Sequence, residues 1–131
     1  MGTIDTAVSI RLTGYAGLSA LVSTRIYQPP IPQNPTYPLV TFQEVSDLPI
    51  KVMGGNAGIR HARYQVDCWA TTIASAKAIA VQVAAALDNY AGTSDSVVIK
   101  NCFLEVGTQM DYTPDEGVHR YMQEYVLEYE G

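Results

Sequence analysis

Apolar positions recur at helical spacing along two stretches of the chain and alternate with polar ones along four others. Ile4, Val8, Leu12 and Tyr15 follow the helical period, and Leu18, Leu21 and Val22 resume it after an interruption. Gly14 and Gly17 each cost about 1 kcal/mol inside a helix, so the spacing predicts a break or bend between the two pieces. RIY (25–27) is a short extended piece, and LVTFQEV (39–45) alternates as a strand does. IASAKAIAVQVAAALDNY (73–90) carries one apolar stripe of Ala76, Ile79, Ala80, Val83, Leu87 and Tyr90. Thr71 or Thr72 can cap its start, and Gly92 suits its end. Burying the four large members of that stripe stabilises by about 1.5–3 kcal/mol each. SVVIKNCFLEVG (96–107) and VHRYMQEYVLEY (118–129) read as two further strands that pair as an antiparallel hairpin.

The stretch RHARYQVDCWATT (60–72) holds a histidine, an aspartate, a cysteine and a tryptophan, residue types that can build a nucleophilic or metal site. Strand alternation separates them. Ala62, Tyr64, Val66, Cys68 and Ala70 share one face, whereas His61, Arg63, Gln65, Asp67 and Trp69 share the other. His61 and Asp67 stand on one side, but six residues of strand hold them roughly 20 Å apart. No triad can form within the segment. Its even-numbered face is the one expected to meet the alanine-rich helix. In the last strand, Tyr121, Tyr125, Leu127 and Tyr129 form the core-facing set, and Arg120, Met122, Glu124, Val126 and Glu128 an amphipathic one.

Two connections are long. QPPIPQNPTYP (28–38) has five prolines in eleven positions and can be neither helix nor central strand, because each proline lacks a donor and restricts its predecessor. SDLPIKVMGGNAGI (46–59) contains Pro49 and three glycines and reads as an extended loop. The fold class is α+β: one domain over 1–131, an antiparallel sheet of about four strands, an N-terminal helix, and a second helix (about 73–90) packed on one face.

Composition supports a folded chain, with 47% hydrophobic and 16% charged residues, and the low charge leaves apolar surface for partners. No apolar run reaches the roughly 20 residues that span a bilayer, and the N-terminus lacks the apolar core of a secretory signal, so no membrane partner is expected. Cys68 and Cys102 read as buried reduced thiols of a protein made in the cytoplasm. The net charge of −5 belongs wholly to residues 111–131, which hold six acids and only Arg120. Clustered bases that would grip phosphates are lacking, which argues against specific nucleic-acid binding.

The candidate sites weaken on inspection. GGNAG (54–58) leads into a strand rather than a helix N-terminus, so it reads as a hairpin tip and not a phosphate loop. Asp111, Asp115 and Glu116 fail the spacing of a calcium loop, and aspartates are common in turns. His61 and His119 each stand beside an arginine without ligands at zinc spacing. Trp69 serves equally as an interface anchor or as cover for the core's edge. Catalytic, cofactor-binding and metal residues are therefore all assigned as none, and the chain is not expected to be an enzyme.

Four segments carry a resemblance over nearly the whole chain: RIYQ–P (25–29), YPLVTFQ (37–43), ARYQVDCWATT (62–72) ahead of an alanine-rich helix, and DYTPDEGVHRYMQEYVLEY (111–129). In this order they resemble the tail-completion, or tail-terminator, proteins of long-tailed bacteriophages. The dense prolines at 28–38 depart from that pattern. The resemblance implies a cyclic homo-oligomer, typically hexameric, at the head-proximal end of a virion tail. It would cap the tail-tube protein, join a head-completion or neck protein, and let DNA pass without specific binding. Pro29, Pro30, Pro32, Lys51, Met53 and Trp69 are the expected interface residues, and Glu124 and Glu128 are expected to line the channel or meet a partner. Two other classes stay open: a small adaptor that binds peptides at a sheet edge, and an enzyme whose site forms between subunits, with His61 of one copy near Cys68 of the next.

Overall fold

Thr3 opens the first helix, α1 (Ile4–Thr13), with a reciprocal cap. Its hydroxyl accepts from the Thr6 amide at 3.2 Å, and the Thr6 hydroxyl accepts from the Thr3 amide at 2.9 Å. The chain seen in this computed structural model is described over residues 3–23, 25–28, 36–52, 54–94, 96–109 and 117–130. α1 stops before Gly14, and α2 (Ala16–Val22) follows, as the two glycines predict. A Cβ on Gly17 would come within 2.2 Å of the Gln82 side-chain oxygen, which shows how closely α2 approaches the later helix.

The strands are β1 (Ile26–Tyr27), β2 (Leu39–Val52), β3 (Gly55–Ala70), β4 (Gly92–Ser94), β5 (Val97–Gln109) and β6 (His119–Glu130), with α3 (Ile73–Leu87) between β3 and β4. They form a single sheet in the order β1-β2-β3-β6-β5-β4. β1 runs parallel to β2, and every other pairing is antiparallel. The six strands exceed the four expected because β1 and β4 are two- and three-residue edge pieces, too short for alternation to reveal.

The larger correction concerns 46–59. This segment is not an extended loop: β2 continues to Val52 and β3 begins at Gly55, so the two strands form one long hairpin. Pro49 and the glycines disguised it. Proline is tolerated on an edge strand, where its missing N–H faces no partner. Register shifts between Glu44 and Ser46 and between Pro49 and Lys51 absorb the extra residues as bulges. Gly54 takes a left-handed φ of 92°, which the tight reversal requires.

α3 begins as expected, with the Thr72 hydroxyl accepting from the Ser75 amide at 3.1 Å. It ends earlier than expected, at Leu87, and Gly92 belongs to β4 rather than to the helix cap. The cause is tertiary. The Asp88 carboxylate accepts from the Leu104 amide at 2.9 Å, and the Asn89 amide donates to the Cys102 carbonyl at 2.6 Å, so β5 pulls the chain out of the helix.

All three helices lie on one face of the sheet. Ala62, Tyr64, Val66, Cys68 and Ala70 are buried there with Val8, Leu12, Leu18, Ile79, Val83 and Leu87. Tyr125, Leu127 and Tyr129 join them from β6, as the tyrosine-rich alternation predicts.

Candidate functional site

The reactive side chains of β3 are divided between the two faces. Cys68 is buried against the helices, and burial pushes its thiol well above the ordinary range. Cys102 is buried too, its thiol pushed up to about 12 by burial first and the Asp88 charge second. Both cysteines are free. Such thiols stay protonated and inert at neutral pH. His61 points the opposite way, exposed, with its Nε2 3.4 Å from Glu128. The pairing of His61 with Cys68 of another copy therefore fails, because the thiol lies beneath three helices.

The helix-free face is laced with cross-strand ion pairs. Arg63 lies 2.8 Å from Glu105 of β5 and 3.6 Å from Glu124 of β6, linking β3 to its neighbour and to the strand beyond it. Glu124 and Glu128, the acids singled out in the sequence, are thus each met by a base from β3. Register explains it: Gln65 stands opposite Glu124 and His61 opposite Glu128, within reach of long side chains on the same face. Glu130 likewise lies 3.0 Å from Lys100.

Near the other end of this face, Asp67 is only 5% exposed and is held by Gln65 at 3.1 Å and Arg120 at 3.0 Å. The Arg120 guanidinium lies 5.0 Å from the Trp69 ring centre, and the Trp69 indole donates to the Thr41 hydroxyl at 3.0 Å. Trp69 is half-buried, stacked and hydrogen-bonded, part of a local polar network on the face away from the core. Of the other expected interface residues, Pro29, Pro30, Pro32 and Met53 lie outside the described residues, as do Asp111, Asp115 and Glu116. Lys51 sits on the hairpin, in register with Asn56.

Two tyrosines tie the hairpin to the rest of the fold in a way alternation does not reveal. The Tyr64 hydroxyl donates to Asp5 of α1 and lies 3.3 Å from Glu44 of β2. The Tyr129 hydroxyl donates to Asp47, which also takes the Arg60 Nε at 2.8 Å. Burial first, then the carboxylate partners, push the Tyr64 phenol far upward, and Tyr129 rises to about 12 for the same reasons. Both therefore remain neutral donors, and the arrangement is a latch rather than an acid–base pair. The only hint in the sequence was the pair of tyrosines on core-facing positions close to strand acids.

The hollows along the surface are shallow. One of about 370 Å³ runs between α3 and the β5–β6 margin, lined by Val81, Ala84, Leu104 and Tyr121 with Lys77 at its rim. Another of about 530 Å³ surrounds the Asp47–Arg60–Tyr129 latch. Among the described residues, no three His, Cys, Asp or Glu side chains converge in a way that could hold a metal ion. No described helix is long and apolar enough to cross a membrane. What the geometry offers is surface: exposed apolar side chains, paired charges and open strand edges.

Comparison with known proteins agrees with that emphasis. No curated protein matches the sequence. Among solved structures, a chain described as "Virion of native gene transfer agent (GTA) particle" has the same fold, with a TM-score of 0.76 at 23% identity over 99% of this chain and 96% of that one. The family model described as "Tail completion protein gp17" matches residues 6–128. That match, over nearly the whole chain, places this chain in the tail completion protein gp17 family.

Proposed function

We infer that this protein is a structural component of a phage-like virion, a ring at the head-proximal end of the tail that ends tube growth and joins the tail to the head or neck. The observation that carries the reading is the family match over residues 6–128. The physical character of the chain supports it. Both thiols are buried and inert, and His61 and Cys68 face opposite ways, while apolar side chains stand exposed on several elements. A molecule built this way works through shape and association.

In this reading the ring is a hexamer, a cyclic heterologous assembly in which one surface of each copy meets a different surface of the next. The tail-tube protein and a neck protein are its axial neighbours, and DNA passes through without specific contacts. Pro29, Pro30, Pro32, Lys51, Met53 and Trp69 supply contact points toward them. Glu124 and Glu128 line the channel or face a partner. Since Arg63 lies 3.6 Å from Glu124, the repulsion of DNA at that position is weaker than the acid count alone implies.

Particle imaging tests the reading. Density for this chain is expected as a ring between tail tube and head, and particles lacking the chain should carry unjoined tails of irregular length. Joined tails of normal length in its absence would overturn it. The open sheet edges also fit a peptide-binding adaptor. Absence of the chain from purified particles would favour that second reading.

A further inference from the structure

Among the described residues the large hydrophobic side chains left exposed are few, and four of the six lie along opposite margins of the one sheet. Val45 (51% exposed) and Leu48 (64%) are on β2, while Val81 (63%) on α3 and Val106 (41%) on β5 flank the other side. Each margin also has an open strand edge. β1 pairs with β2 only at Val40 and Thr41, which leaves Phe42 onward without a strand on its outer side among the described residues. β4 covers β5 only at Val97–Ile99, and the end of α3 takes up Cys102 and Leu104, so no described strand covers Val106–Gln109. Open edges of this kind are templates for pairing with another chain.

We propose that the β2 margin of one copy docks against the α3–β5 margin of the next, bringing Val45 and Leu48 onto Val106, Val81 and the groove beside α3. The proposal rests on the ring reading and names the surfaces that close it. Three observations point to a second copy as the occupant. The first is strand direction. β2 is antiparallel to β3, β3 to β6, and β6 to β5, so β2 runs antiparallel to β5. Copies related by a rotation axis keep one direction along it, and the two edges therefore meet in the antiparallel sense.

The second observation is which face each group occupies. Leu48, opposite His61, and Val106, opposite Glu124, both stand on the helix-free face, whereas Glu44, opposite Tyr64, is on the same side of the sheet as α3. A sheet continued across the contact brings like faces together. The third is charge. Glu44 is exposed on the β2 margin and Lys77 at the rim of the α3 groove, while Glu105 of β5 is already engaged by Arg63. The two margins differ from one another, so the contact is heterologous and propagates to a closed ring rather than stopping at a two-fold pair. Pro49, which offers no N–H, and the bulge beside Val45 keep any added backbone ladder short, leaving the apolar side chains and the Glu44–Lys77 pair to carry the contact.

The test uses two variants of the full chain, Val45→Asp with Leu48→Asp on one margin and Val81→Asp with Val106→Asp on the other. All four positions are exposed, and unchanged circular dichroism and thermal midpoints identify folded variants. Analytical ultracentrifugation at micromolar concentration should show a ring for the unaltered chain and a monomer for each variant. An equal mixture of the two should stop at a dimer, because each pair retains one intact contact and cannot extend it. Glu44→Lys or Lys77→Glu alone should shift the ring toward monomer, and combining them should restore it. An unaltered ring in either variant, or a mixture that stays monomeric, overturns these surfaces while leaving the ring reading intact. An unaltered chain that is monomeric both in solution and in density on the tail overturns the ring itself.

Discussion

The two faces of the sheet are made by alternate residues of the same strands, yet they follow different rules. On the helix-covered face Tyr64, Val66, Cys68, Tyr125 and Leu127 are sealed under three helices, and shape decides what fits. On the helix-free face Asp67, Arg120, Arg63, Glu105, Glu124, His61 and Glu128 pair across strands, and charge decides. Stability should thus depend on the first face and association on the second face and on the margins. Pleating makes this division of labour possible, because away from the bulges a residue and its neighbour stand on opposite faces.

The sharpest break of that comparison is a cavity on the covered side. Leu127→Ala, at a position 1% exposed, should cost about 2–5 kcal/mol in chemical denaturation. A cost below about 1 kcal/mol would mean that face is not the core. Next comes Asp67, a nearly buried charge on the open face. Arg120→Ala leaves Asp67 with only Gln65 and uncovers Trp69, so a loss of about 2–3 kcal/mol is expected, measured by the same titration. Arg120→Lys should restore part of it, since an ammonium keeps the charge but loses the planar stacking.

The tyrosine latch gives a smaller, pH-dependent effect. The folded pKa of Tyr129 is raised from 10.0 to about 12, and its contribution is therefore fully present below about 10 and lost as pH climbs toward about 12. The denaturation midpoint should fall through that window, and Tyr129→Phe should flatten the fall and start from a lower midpoint at neutral pH, where the hydrogen bond to Asp47 is lost. A midpoint indifferent to pH between those limits would show that the phenol is not held as the structure has it. Smallest of all should be Glu128→Gln, which removes a half-buried partner of His61. A change within about 0.5 kcal/mol is expected, and thermal melts at low and high salt should be nearly superimposable. If Glu124→Lys with Glu128→Lys leaves stability and genome-ejection kinetics alike untouched, the channel placement of these acids is wrong.

Much of the architecture was legible because strong periodicity survives its context. The two-residue period of 62–70 put Cys68 and His61 on opposite faces, and the stripe of Ala76, Ile79, Val83 and Leu87 identified the helix that covers one of them. The glycine pair predicted the break between α1 and α2. Punctuation residues misled. Pro49 and the glycines made a long hairpin resemble a loop, since a proline is harmless there only because β1 pairs with β2 no further than Thr41 and no other described strand lies on its outer side. Gly92 suggested the helix end, but the helix stops earlier because β5 captures Asp88 and Asn89.

The site divides in the same manner. That Cys68 and His61 stand on opposite faces was already decided by alternation along one strand. The acid excess of 111–131, by contrast, said nothing of partners, and only the pairing of β3 with β6 showed Arg63 and His61 set against Glu124 and Glu128. The sequence by itself determined which residues face inward and which outward, because side-chain direction is local, dictated by the pleat and the helical turn. Only the tertiary structure decided which strands became neighbours, which charges were neutralised and which edges were left open, because those depend on residues far apart in the chain meeting in one register.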